Sequence, residues 1–203
     1  FEPLLAVDIQ EFKLLMMQSN FPNVVCMRWM LKTGEIDMTN AENNEPEDKE
    51  EMLNTIVELG IQRANLGEAA RQQWKNGVWP TDFPPLHIHG SPSCQDLSSA
   101  NQQGKRKKTS ETTMGWYTGF IHYLRRRNVP HTMSLEEADI QFDRDSADPN
   151  KQALLQVAKF AITDVLGAEE RDPSTPFNPT KTYYAHINYE RCGVPSTGRR
   201  LFC

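Results

Sequence analysis

At 203 residues the chain is long enough to bury one substantial core, whereas a split into two full domains would leave each of them small, so one unit spanning 1–203 is expected. Its formal charge of -5 excludes a protein that coats nucleic acid through bulk charge. No apolar run approaches the roughly 20 residues that cross a bilayer, which excludes a helical membrane span.

Leu4 to Ile9 reads as a short strand with a carboxylate, Asp8, near its end. Gln10 to Gln18 follows as a helix through Phe12, Leu15 and Met16, and Asn20-Phe21-Pro22-Asn23 breaks it before a second strand over Val24 to Trp29. Asn40 to Lys49 is acidic and polar, an exposed loop. Glu50 to about Lys75 carries Met52, Leu53, Ile56, Val57 and Leu59 at helical intervals, with a less regular continuation after Gly60, which predicts one or two helices. Pro80, Pro84 and Pro85 stop any helix, and Leu86 to His89 is the next strand.

Gly90 to Ser110 is rich in Gly, Ser, Asn and Lys and reads as a mobile loop. Thr112 to Arg127 sets Met114, Tyr117, Phe120, Ile121 and Leu124 on one helical face; His131 to Glu136 is extended again. Asn150 to Leu166 is the clearest helix, and Tyr183 to Ile187 and Arg200 to Phe202 are the last strand candidates. Alternating strands and helices predict an α/β domain with a mainly parallel sheet, in which ligands gather beyond the carboxyl ends of the strands. There is no internal repeat.

The chain opens at Phe1 without a Met, a basic segment or a small-residue cleavage site, so no targeting signal is readable in it and its start looks like a cut edge. The four cysteines contain no C-x-x-C pair and give little support to a disulfide framework or a zinc site, which favours a reduced, intracellular setting. Positive charge is nevertheless clustered at Lys105-Arg106-Lys107-Lys108, at Arg125 to Arg127, and at Arg191, Arg199 and Arg200. Such clusters can meet phosphates or simply solvate loops and helix ends. Cys94, on the loop directly after a strand, is placed as a nucleophile would be, since nearby amides and cations ionise a thiol there. A buried, incidental cysteine is the other reading. His87, His89 and Cys94 invite comparison with zinc deaminases, but neither His-x-Glu nor Pro-Cys-x-x-Cys is present; the two histidines alternate on a strand and read as structural.

Several segments, in order, resemble the cytosine-C5 methyltransferases. Ser91, Pro92, Cys94, Gln95 and Ser98 are similar to the family's Pro-Cys-Gln loop, with Ser93 replacing a Pro. Ser134-Leu-Glu-Glu-Ala138 resembles its strand-terminal Glu-Asn-Val, Glu136 matching the Glu and Glu137 standing for the Asn. Gly193, Val194, Pro195 and Arg200 match its Gly-Val-Pro-Gln-x-Arg-x-Arg stretch, with Ser196 and Gly198 as departures. Leu5-Ala-Val-Asp8 looks like its second strand, and Gly34-Glu35-Ile36 like its Gly-Asp-Ile.

The resemblance implies a Rossmann-like S-adenosylmethionine-dependent methyltransferase sheet with helices on both faces. The domain would be incomplete at both ends, its first strand and Gly-rich loop lying before Phe1 and its target-recognition region and closing helix after Cys203, with about 40–75 as an insertion. It further implies Cys94 as the nucleophile at cytosine C6, Glu136 at N3 and Arg200 at O2. Asp8, Ile9, Glu35 and Pro92 would meet S-adenosylmethionine, and Gln95, Ser98, Lys105, Arg106, Lys107 and Lys108 would meet nucleic acid. No metal is implied. DNA is the expected substrate, in the nucleus of a eukaryote or the cytoplasm or nucleoid of a prokaryote or virus. A tRNA-directed enzyme sharing these motifs and a catalytically degraded scaffold or nucleic-acid-binding subunit remain open.

Overall fold

The apolar runs at the start of the chain become β1 (Leu5–Asp8), α1 (Glu11–Asn20) and β2 (Val25–Arg28). The computed structural model describes residues 3–8, 10–28, 49–91, 109–138, 149–188 and 199–203. These divide into two compact units, one ending at Pro85 and one beginning at Leu86.

In the N-terminal unit β1 and β2 pair in parallel, from Leu5 opposite Val25 to Asp8 opposite Arg28. The expected helix between them forms, but it is turned differently from its apolar spacing. Leu14 is buried and Met17 half-buried, whereas Phe12, Leu15 and Met16 are 59%, 56% and 60% exposed. A helix this short can offer the sheet only one stripe, and the one through Leu14 and Met17 is chosen. The Cys26 thiol donates to the Leu14 carbonyl at 3.3 Å on that side.

The long periodic stretch is two helices, α2 (Lys49–Ala64) and α3 (Gly67–Lys75). Asn65 (φ 53°) and Gly67 (φ 74°) adopt the left-handed conformation that ends one helix and redirects the chain, a conformation Asn and Gly take at least cost. Arg71 forks onto Glu58 through Nε at 2.9 and 3.1 Å, joining α3 to α2. Gly60 leaves room for the Phe83 ring, which stacks on Trp79 at 4.9 Å between centroids.

The C-terminal unit contains β3 (Leu86–Gly90), α4 (Thr109–Arg126), β4 (His131–Ala138), α5 (Pro149–Phe160), a π-helical turn at Ala161–Val165, β5 (Ala168–Glu170), β6 (Thr182–Asn188) and β7 (Arg199–Phe202). The α/β class is as expected, and the sheet is mixed rather than mainly parallel. Its order is β3-β4-β7-β6-β5, with β3 parallel to β4, β5 parallel to β6, and β7 antiparallel to both neighbours. The short strand β5 has no counterpart in the sequence reading, because three residues carry no measurable alternation. The helix expected over 150–166 is α-helical over Pro149–Phe160 and widens to π geometry over Ala161–Val165, before Gly167 (φ 65°) ends it.

One face of this sheet carries its buried residues, with Leu135 and Leu201 fully inaccessible and Leu86, Glu137 and Ala168 nearly so. Helix α4 supplies Met114, Tyr117, Phe120, Ile121 and Leu124 as buried residues, and burying each such side chain contributes roughly 1.5–3 kcal/mol. Arg125 ties α4 to the π turn and to β6: it donates to the carbonyls of Val165 (3.3 Å) and Leu166 (2.7 Å) and to the Thr182 hydroxyl (3.3 Å). That guanidinium is part of the scaffold and not of a phosphate-binding cluster. The opposite sheet face, carrying His87, His89, Thr132, Ser134, Glu136, Arg200 and Phe202, is half-buried to exposed. The cover of helices expected on both faces is thus seen on one face of this sheet among the described residues.

Candidate active site

In a parallel pair, the two carboxyl ends lie side by side. Gly90, the last residue of β3, sits opposite Leu135, so Glu136 is the first β4 residue to project beyond the end of β3. From that same end the chain leaves Gly90 and Ser91 for the segment that carries Cys94. Strand β7 runs the other way and begins where β4 finishes, which sets Arg200 opposite Ala138 and Phe202 opposite Glu136. The guanidinium Nε of Arg200 is consequently 3.4 Å from Oε1 of Glu136, with side chains 40% and 30% exposed. A half-exposed pair of this kind contributes at most about 1 kcal/mol to stability, so its value lies in presenting a carboxylate and a guanidinium together. Glu137 alternates to the other face and is buried.

The end of β3 is held from beneath. An ideal Cβ on Gly90 would lie 2.3 Å from Cδ2 and Cε2 of Tyr117, so only glycine lets that ring pass. The Tyr117 hydroxyl donates to the Ser134 carbonyl at 2.8 Å and contacts the Ile88 carbonyl at 3.3 Å, bridging β3 and β4. Burial pushes the Tyr117 phenol well above its ordinary range, with the Cys203 thiol acting in the same direction.

On the accessible face, His87 and His89 of β3 stand beside Thr132 and Ser134 of β4. His87 Nδ1 is 2.9 Å from Thr132 Oγ1, its Nε2 is 3.1 Å from Ser134 Oγ, and His89 Nδ1 is 2.9 Å from the same Ser134 oxygen. The histidines were legible as alternating strand residues; the hydroxyls that join them were not. The only signal was a second alternating pair, Thr-x-Ser, whose match to His-x-His depends on strand register.

Asp8 lies in the N-terminal unit at the carboxyl end of β1. Its Oδ1 accepts the Gln10 backbone N–H at 2.7 Å, and its Oδ2 is 3.4 Å from Lys13 Nζ. A carboxylate offers about four lone-pair positions, so these contacts leave acceptor capacity for two hydroxyls. A concavity of about 450 Å³ lies at the other ends of these strands, lined by Leu4, Asn23, Val25, Leu59, Gln62 and Arg63. Arg63 bridges it by donating to the carbonyls of Pro3 and Asn23.

Ile9, Glu35, Pro92, Cys94, Gln95, Ser98, Lys105, Arg106, Lys107 and Lys108 lie outside the described residues. Of the residues singled out from sequence, Glu136 and Arg200 are brought together. Among the described residues no group of three or more His, Cys, Asp or Glu side chains could hold a metal ion, and no helix is long and apolar enough to cross a membrane. Compared with known proteins, the chain matches no family model and no curated sequence.

Proposed function

We propose that this chain is part of the catalytic domain of an S-adenosylmethionine-dependent cytosine-C5 methyltransferase acting on DNA. The observation that carries the reading is the meeting of Glu136 and Arg200, chosen from two separate motifs, at 3.4 Å beside the strand end from which the Cys94 segment departs. A carboxyl and a guanidinium at one strand end suit a pyrimidine edge that presents N3 and O2 together. Cytosine C5 is a poor nucleophile, and addition of the Cys94 thiolate at C6 makes it enamine-like. Glu136 holds N3 and shares its proton as charge develops on the ring, and Arg200 balances negative charge at O2. The target base must leave the stack to reach these groups, and the basic run Lys105 to Lys108 is suited to the flanking phosphates. S-adenosylmethionine would supply an electrophilic methyl group, and the N-terminal unit offers a carboxylate suited to its ribose in Asp8, whose acceptor capacity is not exhausted by Gln10 and Lys13.

The test is covalent trapping. The protein is incubated with S-adenosylmethionine and 5-fluorocytosine in DNA or in RNA, and the modified residue is identified by mass spectrometry. An adduct at Cys94 on DNA, lost in Cys94→Ala, is the expected result. An adduct on RNA alone moves the substrate to RNA, and no adduct with a folded protein leaves the degraded scaffold as the reading.

A further inference from the structure

The parallel pair formed by the edge strand β3 and its neighbour β4 turns four polar side chains to an accessible face. Those four form one unbroken hydrogen-bonded chain, Thr132–His87–Ser134–His89. Two arrangements of its protons run continuously in one direction along it. A neutral imidazole has one N–H and one acceptor nitrogen, and a hydroxyl donates once while accepting. In one arrangement Thr132 donates to His87, His87 Nε2–H to Ser134, and Ser134 to His89 Nδ1, leaving His89 with an N–H at Nε2. In the other every bond reverses, and His89 presents an acceptor at Nε2. Proton uptake at Nε2, followed by one hop across each bond, converts the second arrangement into the first and delivers a proton at the Thr132 end.

We propose that this chain is a proton relay serving the Glu136–Arg200 end of the same face, with His89 as its receiving group. The titratable or charged side chains that share the face by register are His87, His89, Glu136, Arg200, Tyr183 and Glu169. Glu136 lies one pleat beyond Ser134, diagonal to His89 across the β3–β4 pair. The proposal rests on the methyltransferase reading, and it assigns a proton acceptor to that reaction. Replacing the hydrogen on C5 by a methyl group releases one proton. As the C5–H bond breaks, its electrons form the C5=C6 double bond, the C6–S bond breaks, sulfur leaves as thiolate, and the proton goes to His89 Nε2.

Two measurements on the full chain test this. Ring-nitrogen NMR is expected to show that protonating either histidine shifts the resonances of the other, and that Ser134→Ala removes the coupling; rings that respond independently in the unaltered protein overturn the relay whatever the protein catalyses. In methylation of 5-deuterated cytosine, His89→Gln is expected to lower kcat about 100-fold with KM retained, to expose an isotope effect, and to be rescued by added imidazole. A His89→Gln enzyme as fast as the parent, with the same pH profile, overturns the relay and leaves the methyltransferase reading intact. Absence of methyl transfer by the unaltered protein overturns that reading and, with it, the relay's role.

Discussion

Gly90→Ala tests how the end of β3 is held. The added methyl would meet Cδ2 and Cε2 of Tyr117 at 2.3 Å and Cγ at 2.9 Å, well inside van der Waals contact. The ring cannot slide away freely, because it is 4% exposed and its hydroxyl is fixed on the Ser134 carbonyl at 2.8 Å. Overpacking of a filled core costs about 1–3 kcal/mol, and loss of the phenolic hydrogen bond adds about 1 kcal/mol. Denaturant unfolding should therefore show a loss of roughly 2–4 kcal/mol. Tyr117→Leu alone should also destabilise, but the two changes together should cost less than their sum by at least about 1 kcal/mol, since the shorter side chain vacates the space. An alanine variant within about 0.5 kcal/mol of the parent, or strict additivity in the cycle, would refute the packing argument.

Removing the Arg125 guanidinium by Arg125→Met keeps the aliphatic stem but strips the donors from the Val165 and Leu166 carbonyls and the Thr182 hydroxyl. Denaturant unfolding should register about 1–3 kcal/mol of lost stability, while a change confined to the exposed Arg126 should register almost none. Burial pushes the Cys203 thiol up to about 12 from an ordinary 9.0, against the opposing pull of Arg125. The folded state then keeps a proton that the unfolded chain releases, so this contribution is intact below pH 9.0 and is lost as pH rises from there towards about 12. Stability followed by denaturant titration across that window should slope downward, and Cys203→Ser should flatten the slope.

The sequence by itself determined most of the elements. Strands over 4–9, 24–29, 86–89 and 131–136 and helices over 10–18, 50–75 and 112–127 are legible from periodicity and from Pro, Gly and Asn at their boundaries, which are local properties, and an element of the expected type lies at each of these places. It also marked Glu136 and Arg200 as residues to watch, through the motifs around them. Only the tertiary structure decided which surfaces those elements use. Phe12, Leu15 and Met16 look like a core stripe and are exposed, since the rotation of a helix on its sheet is settled by packing rather than by spacing. Arg125 reads as one of three arginines in a surface cluster and is instead a clamp on buried carbonyls. The ion pair between Glu136 and Arg200 and the chain from Thr132 to His89 both depend on the register of strands far apart in sequence, and register is fixed by which faces are buried when the sheet assembles, a quantity that no single strand carries.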